Sequence, residues 1–195
     1  MYLFDLKPNL TGQPTCFAPL FTEEQCKALI DSCESNLQLQ GGTVEDRRVI
    51  VSIRSSAIGW LSPEGEHRWL FDKIRDCMNV VNADWFRYDL AGFEGIQFTK
   101  YSYERGRADF YSSHVDTIAS EGTVRKLSFT VQLSDPDSYS GGDVVLYSSL
   151  IESASLSRAI GSITFFPSYM IHEVLPVTKG VRYSLVGWGR GPAFT

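Results

Sequence analysis

Apolar residues recur at helical spacing in two stretches of the N-terminal half. The first stretch, residues 21–35, carries its apolar positions at Cys26, Leu29, Ile30 and Cys33. Four such positions at intervals of three and four residues predict an amphipathic helix. Thr22 is followed three residues later by Gln25, which is the signature of a capping box and predicts where this helix begins.

The second helical stretch covers residues 61–82. Ser62 is placed to cap it, and Pro63 suits a first helical turn because proline needs no hydrogen-bond acceptor there. One largely apolar face is outlined by Trp69, Leu70, Lys73, Ile74, Cys77 and Met78. The sequence therefore predicts a second helix that begins close to Ser62.

A strand-like alternation replaces the helical spacing elsewhere in the chain. Residues 47–56 alternate Val49, Val51 and Ile53, and short strand patterns separated by Gly, Pro, Asp and Ser occupy 95–103, 125–134, 142–149, 159–167 and 180–188. Many short strands without intervening helices are typical of a sandwich or barrel. No repeat or domain boundary is visible. The prediction is one mainly β domain over residues 1–195, with a helical support region (1–90) that braces one sheet of a core (91–195).

The strand at 125–134 has two chemically different faces. Leu127, Phe129, Val131 and Leu133 share one face, and Ser128, Thr130 and Gln132 share the other. The apolar face predicts a core. The polar face could line a wet pocket inside a barrel or simply face solvent, and the pattern by itself favours solvent.

Composition and charge narrow the function classes. The 195 residues are 43% hydrophobic and 21% charged, which indicates an ordinary globular protein. A net charge of −5 makes nucleic acid an unfavourable partner.

No apolar run is long enough to cross a membrane and the N-terminus lacks a signal-peptide pattern, so a cytoplasmic protein is expected. The four cysteines match neither a zinc pattern nor a disulfide framework, and we expect reduced thiols.

A small set of polar residues could bind a metal. His114 and Asp116 are two apart, so on a strand their side chains point to the same side, and His172 could supply a third ligand from a distant strand. Two imidazoles and one carboxylate form the ligand set of non-haem Fe(II) oxygenases. A structural hydrogen-bonded pair is the alternative for His114 and Asp116. Arg182, on one face with Ser184, would suit a cosubstrate that carries a further carboxylate.

Three longer segments carry a resemblance to a known family. They are "FYSSHVD" (110–116), "RKLSFTVQLSDPDSYSGGDVVL" (125–146) and "GSITFFPSYMIHEVLPVTKGVRYSLVGW" (161–188). In order and spacing the chain resembles the 2-oxoglutarate and Fe(II)-dependent dioxygenases, specifically the prolyl 4-hydroxylase-like group with the PKHD-type hydroxylases, from about residue 51 onward. The resemblance implies a double-stranded β-helix, or jelly roll, with N-terminal helices against its major sheet.

The same resemblance implies roles for individual residues. His114, Asp116 and His172 look like the iron ligands, and Arg182 looks like the partner of the distal carboxylate of 2-oxoglutarate. Further residues at positions similar to the family's cosubstrate and pocket residues are Tyr101, Gln132, Ser184 and Trp188. The collagen-type enzymes usually have lysine in place of Arg182, which weakens an inference to a collagen-like substrate. Fe(II), 2-oxoglutarate, O2 and ascorbate as a reductant are the implied cofactors.

The activity implied is hydroxylation of an unactivated C–H bond, with succinate and CO2 as coproducts. A protein or peptide side chain such as proline is the expected substrate, and a small molecule is the alternative. Two other functions stay open: a nucleic-acid demethylase, which the acidic charge disfavours, and a cupin-type metal-binding barrel, which would not need Arg182. Loops 102–109 and 117–125 are candidate recognition segments. The sequence carries no signal for an oligomeric state.

Overall fold

The computed structural model describes residues 15–17, 19–42, 52–120, 122–147 and 154–193. Its helices are α1 (Glu23–Asn36) and α2 (Arg68–Val81), with short 3-10 turns at Gly65–His67 and Pro136–Ser138 and a π-helical turn at Asn82–Phe86. The strands are β1 (Thr15–Phe17), β2 (Gln40–Gly41), β3 (Arg54–Ser55), β4 (Ala57–Leu61), β5 (Gly92–Phe93), β6 (Ile96–Glu104), β7 (Arg107–Ala108), β8 (Phe110–His114), β9 (Ala119–Ser120), β10 (Thr123–Gln132), β11 (Ser140–Gly141), β12 (Val144–Tyr147), β13 (Ala154–Ser155), β14 (Ile163–Pro167), β15 (Ile171–Val174), β16 (Val177–Lys179) and β17 (Val181–Gly191).

Two antiparallel sheets form the body of the molecule. The major sheet runs in the order β1-β14-β10-β17-β6-β4-β2, with β5, β7 and β9 paired at its margins. The minor sheet runs β13-β12-β15-β8-β3, and β11 pairs with β16. The arrangement is a jelly roll, as the sequence resemblance implied. Strands β1 to β4 lie in the N-terminal region, which therefore extends both sheets in addition to supplying the helices.

The main core lies between the helices and the outer face of the major sheet. On β10 the predicted apolar residues all belong to it, and they meet Leu29 and Cys33 of α1 and Leu70 and Ile74 of α2. Truncating a buried leucine or phenylalanine in such a core costs about 2–5 kcal/mol. Cys26 and Cys33 are buried free thiols and Cys77 is partly buried, as expected. The side chain of Cys16 lies outside the described residues.

Helix α1 begins where the sequence predicts. The Thr22 hydroxyl accepts a hydrogen bond from the Gln25 N–H at 3.2 Å, and the Gln25 side chain accepts one from the Thr22 N–H at 3.1 Å. This reciprocal pair is a capping box, which satisfies two N–H groups that have no acceptor within the helix.

The predicted start of the second helix is wrong. Helix α2 begins at Arg68 after a 3-10 turn that starts at Gly65, where a φ of +66° is a left-handed conformation that would interrupt an α-helix begun at Ser62. The Ser62 hydroxyl accepts from the Glu64 N–H and stabilises a turn instead of capping the helix. Trp69 is also more exposed than its place in the apolar pattern suggested.

The polar face of β10 is buried, so the solvent-facing interpretation is wrong. Ser128, Thr130 and Gln132 lie on the inner face of the major sheet, opposite the minor sheet, and all three are at most 9% exposed. Alternation alone cannot distinguish a pocket wall from a solvated face because both carry polar side chains.

The strand expected at 47–56 is short where it can be followed. Residues 47–51 lie outside the described part of the chain, and β3 covers only Arg54 and Ser55. Within the described part, no helix has the length and apolar character needed to cross a membrane.

Candidate metal centre and cosubstrate pocket

The two histidines of the predicted site lie side by side on neighbouring strands of the minor sheet. His114 ends β8, and His172 on β15 is its register partner. Asp116 follows His114 by two residues, just beyond the strand, where its backbone N–H donates to the carbonyl of Ser168 at 2.8 Å. Strand pairing therefore places the two imidazoles, and the turn after β14 places the carboxylate beside them.

The three side chains converge on one point. Their potential ligand atoms lie within 4.8 Å of one another, with His114 Nε2 3.7 Å from Asp116 Oδ1 and His172 Nε2 3.4 Å from Asp116 Oδ2. Nδ1 of His114 lies 2.8 Å from the Ser112 carbonyl, and Nδ1 of His172 lies 3.0 Å from the Met170 carbonyl. A carbonyl only accepts, so we assign the proton to Nδ1 in both rings, which leaves Nε2 as a metal ligand.

Asp116 is held by donors from the major sheet. The Ser128 hydroxyl donates to Asp116 Oδ2 at 2.7 Å, and the Ser168 hydroxyl lies 3.0 Å from Ser128 Oγ. Since Ser128 has one proton, Ser168 is the donor in that second bond. The indole N–H of Trp188, the β17 neighbour of Ser128 in the sheet register, lies near the same carboxylate and helps to lower its pKa.

The electrostatics of the site keep Asp116 and His114 in the ionisation states that a metal needs. Burial alone would raise the pKa of Asp116, but the neighbouring imidazoles and the bonds from Ser128 and Trp188 lower it below its ordinary value. Burial, reinforced by His172, lowers the pKa of His114 to about 4. At neutral pH the site therefore presents a carboxylate and a neutral His114 imidazole.

Aromatic stacking fixes the plane of the His114 ring. The Tyr111 ring stacks on His114 with centroids 3.6 Å apart, and the Arg54 guanidinium lies 4.6 Å from the centre of the Tyr111 ring. Arg54 in turn donates to Ser56 and Gln97, each at 2.9 Å.

This donor set fits Fe(II). Two imidazoles and a carboxylate bind on one face and leave further coordination positions open. Throughout the described ranges, His114, Asp116 and His172 form the one group of three or more His, Cys, Asp or Glu with this convergence. The alternative of a simple His114–Asp116 pair leaves the approach of His172 to the same carboxylate unexplained.

Arg182 marks a second polar region on the inner face of the major sheet. It is 4% exposed and has no ion pair with a carboxylate among the residues that the structure describes. Its guanidinium donates to Ser184 Oγ at 3.2 Å, lies near the Tyr139 hydroxyl, and is 5.8 Å from the centre of the Tyr101 ring. Burial lowers the pKa of Arg182, yet an arginine stays protonated at neutral pH.

Unpaired hydroxyl groups surround this arginine. Thr99 and Thr130 carry two of the three buried side-chain polar atoms without a hydrogen-bond partner in the described chain. Gln132 donates to the Tyr139 hydroxyl at 2.9 Å. A Cβ added to Gly142 would lie 3.1 Å from Cδ of Arg182, so glycine leaves room for the guanidinium. A buried cation and orphaned hydroxyls fit the distal carboxylate of a ligand such as 2-oxoglutarate.

All eight predicted site residues lie in the described structure. Three of them meet at the metal centre: His114, Asp116 and His172. Four lie around the second polar region: Arg182, Tyr101, Gln132 and Ser184. The last, Trp188, lies beside Asp116 and not in the arginine pocket.

Sequence reasoning missed several residues around the site. Ser128 was recognisable as a neighbour of Gln132 on the polar face of β10. Tyr139 and Ser168 reach the site from turns whose local sequence carries no periodic signal.

The comparisons with known proteins agree with this geometry. Residues 96–190 match the sequence model of the 2OG-Fe(II) oxygenase superfamily. Within it, the chain is similar to PKHD-type hydroxylases: 41% identity over 88 residues to one from Maricaulis maris and 38% over 87 residues to one from Hyphomonas neptunium. These matches cover 45% and 43% of this chain but only 39% and 38% of the relatives' lengths.

Solved structures share the fold. A prolyl-4-hydroxylase from Pseudomonas putida superposes with a TM-score of 0.73 at 21% identity, covering 92% of this chain and 93% of that one. A prolyl hydroxylase from Trichoplax adhaerens, solved with a peptide fragment of the oxygen degradation domain of hypoxia inducible factor, gives 0.75 at 17% identity over 92% and 84% of the two chains.

Proposed function

We propose that this chain is a 2-oxoglutarate and Fe(II)-dependent hydroxylase that acts on proline in a protein or peptide. The observation that carries the proposal is a His-Asp-His ligand set together with a buried arginine that has no carboxylate partner among the described residues. A cupin-type metal-binding barrel would need the ligands but not a desolvated cation beside them. A cytoplasmic location stays a prediction from the sequence.

In this proposal the minor sheet and its adjoining turn bind the metal, and the major sheet binds the cosubstrate. His114, Asp116 and His172 would hold Fe(II), and Arg182 would bind the distal carboxylate of 2-oxoglutarate, with Tyr101, Gln132 and Tyr139 around it. Iron, 2-oxoglutarate and O2, with ascorbate as a possible reductant, supply the oxidation of an unactivated C–H bond and release succinate and CO2. The protein orients the bound groups and keeps bulk water from the buried arginine.

Two observations support proline as the substrate: the names of the similar proteins and an exposed aromatic ring near Trp188. The similar proteins are PKHD-type and prolyl hydroxylases. Trp60 is 50% exposed on β4, and its ring lies 6.1 Å from that of Trp188. Exposed aromatic rings are the surfaces that proline-containing peptides use. The net charge of −5 argues against the nucleic-acid demethylase alternative.

Replacing Arg182 tests the cosubstrate assignment. Arg182→Ala should weaken 2-oxoglutarate binding roughly ten- to a hundredfold, because a charge-assisted hydrogen bond contributes about 1.5–3 kcal/mol. The measurement is the apparent affinity for 2-oxoglutarate from succinate release. Arg182→Lys is the matched control, which keeps the charge and should lose less. Equal affinity in all three proteins would mean that the carboxylate binds elsewhere.

A substrate panel tests the reaction. Succinate release with Fe(II) and 2-oxoglutarate is measured with proline-containing peptides, free amino acids and methylated oligonucleotides. We expect stimulation by the peptides, together with a mass increase of one oxygen atom on proline. Stimulation by oligonucleotides alone would overturn the proposal in favour of the demethylase.

A further inference from the structure

Glu94, in the turn between β5 and β6, holds two arginines from different strands. Both of its carboxylate oxygens accept from Arg125 of β10, at 2.7 and 2.6 Å, and one of them also accepts from Arg190 of β17. The three side chains are each 20% exposed or less. A cluster this well shielded keeps fixed geometry, because breaking it would leave a charge both buried and unpaired.

The two arginines differ in what else they contact. The Arg125 guanidinium lies flat over the Trp188 ring, 3.7 Å from its centre. The Arg190 guanidinium instead donates to the β9–β10 hairpin, at the Thr123 hydroxyl and the carbonyls of Ser120 and Thr123. Arg190 is therefore a natural control for Arg125, since it shares the carboxylate but not the indole.

Trp188 lies between Arg125 and a metal ligand. Its indole N–H, the only donor of this side chain, lies near the Asp116 carboxylate, and Trp188 is the register neighbour of Ser128, whose hydroxyl donates to that carboxylate. A rotation of the ring about its side-chain torsions would move the N–H away from the carboxylate. Arg125 restrains such a rotation because cation–π stacking within a largely buried site contributes up to about 2 kcal/mol.

We propose that Glu94 and Arg125 are positioning residues that act through Trp188 to fix the carboxylate of Asp116. Glu94 orients Arg125, Arg125 holds the Trp188 ring, and the ring holds Asp116 in the orientation that binds a metal. This inference rests on the assignment of Asp116 as a metal ligand. Glu94 also accepts from Arg190, which donates to the β9–β10 hairpin, so one carboxylate connects this hairpin with Arg125.

Metal affinity tests the proposal without turnover. Mn²⁺ is titrated into the full chain without 2-oxoglutarate, and free Mn²⁺ is followed by its electron paramagnetic resonance signal. Trp188→Phe should bind about tenfold more weakly, as expected for loss of an N–H group beside a metal ligand. Arg125→Met and Glu94→Gln should bind roughly three- to tenfold more weakly. Arg190→Met should stay within about twofold of the wild type.

A double variant separates positioning from general damage. If Arg125 acts through Trp188, Arg125→Met combined with Trp188→Phe should bind Mn²⁺ no more weakly than Trp188→Phe alone. Arg125→Lys, which keeps the charge but not the flat guanidinium, should give an intermediate affinity and replaces Arg125→Met if that variant fails to fold.

Three results would overturn the inference: additive losses in the double variant, equal losses in Arg190→Met and Arg125→Met, or an Arg125→Met protein that binds Mn²⁺ like the wild type. If that last variant shows only a higher KM for peptide, Arg125 is a substrate contact. Failure of the wild type itself to bind Mn²⁺ would instead contradict the proposed metal centre.

Discussion

At the scale of single residues, the metal site depends on hydrogen bonds that orient its ligands. Backbone carbonyls fix both imidazoles, and the Ser128 hydroxyl fixes Asp116. Ser128 is 1% exposed and receives its own hydrogen bond from Ser168. A buried carboxylate without such donors would gain a higher pKa and rotate more freely, and both changes weaken metal binding.

We therefore predict that Ser128→Ala lowers metal affinity about 10- to 100-fold. Mn²⁺ titration of the protein without cosubstrate measures this loss. Thr130→Val is the matched control, because Thr130 lies two residues further along the same face of β10 and its hydroxyl has no hydrogen-bond partner in the described part of the chain. Similar losses in the two variants would show that polarity of the face, and not the bond to Asp116, sets the affinity.

At the scale of secondary-structure elements, the helices stabilise the sheet that carries the site without contributing a ligand. Helix α1 buries Cys26, Leu29 and Cys33 against the outer face of the major sheet. Its capping box lies far from the ligands in the chain and stabilises the first helical turn. A substitution in this capping box should therefore change the free energy of unfolding without changing metal affinity.

Thr22→Ala should lower the free energy of unfolding by about 1 kcal/mol, because it removes the hydroxyl that accepts from Gln25. Urea denaturation measures the change, and metal affinity should stay at the wild-type value. Thr22→Ser keeps the hydroxyl and should recover most of the stability. A drop in metal affinity for Thr22→Ala would show that α1 affects the geometry of the site.

At the scale of the whole molecule, the site exists only where the two sheets meet. The minor sheet and its adjoining turn supply His114, Asp116 and His172, whereas the major sheet supplies Arg182, Ser128 and Trp188. A metal that bridges ligands from β8 and β15 binds the folded chain and has no comparable site in the unfolded chain. Binding should therefore stabilise the fold.

Mn²⁺ at a concentration 100-fold above its Kd should stabilise the protein by about 2.7 kcal/mol. For a domain of this size, that corresponds to a rise in Tm of roughly 5–10 °C. Differential scanning calorimetry with and without Mn²⁺ measures the shift. Asp116→Ala should show almost none of it, and a full shift in that variant would place the metal elsewhere.

The sequence by itself determined the elements with strong local signals. The capping box defined the start of α1, period-two alternation separated the core face of β10 from its polar face, and the motifs around His114, Asp116 and His172 indicated the ligands. Local signals failed where a single backbone angle mattered: the left-handed Gly65 delays α2, and no pattern of apolar residues reveals it.

Only the tertiary structure decided which polar face is interior and which distant residues meet. Ser128 faces the minor sheet and not solvent because the jelly roll closes over it, and alternation is the same in both cases. Glu94 and Arg125 are 31 residues apart, and Arg190 joins them from β17. Such contacts follow from sheet register and not from spacing along the chain. The sequence therefore identified the ligands, and the packing of the two sheets determined how they are held.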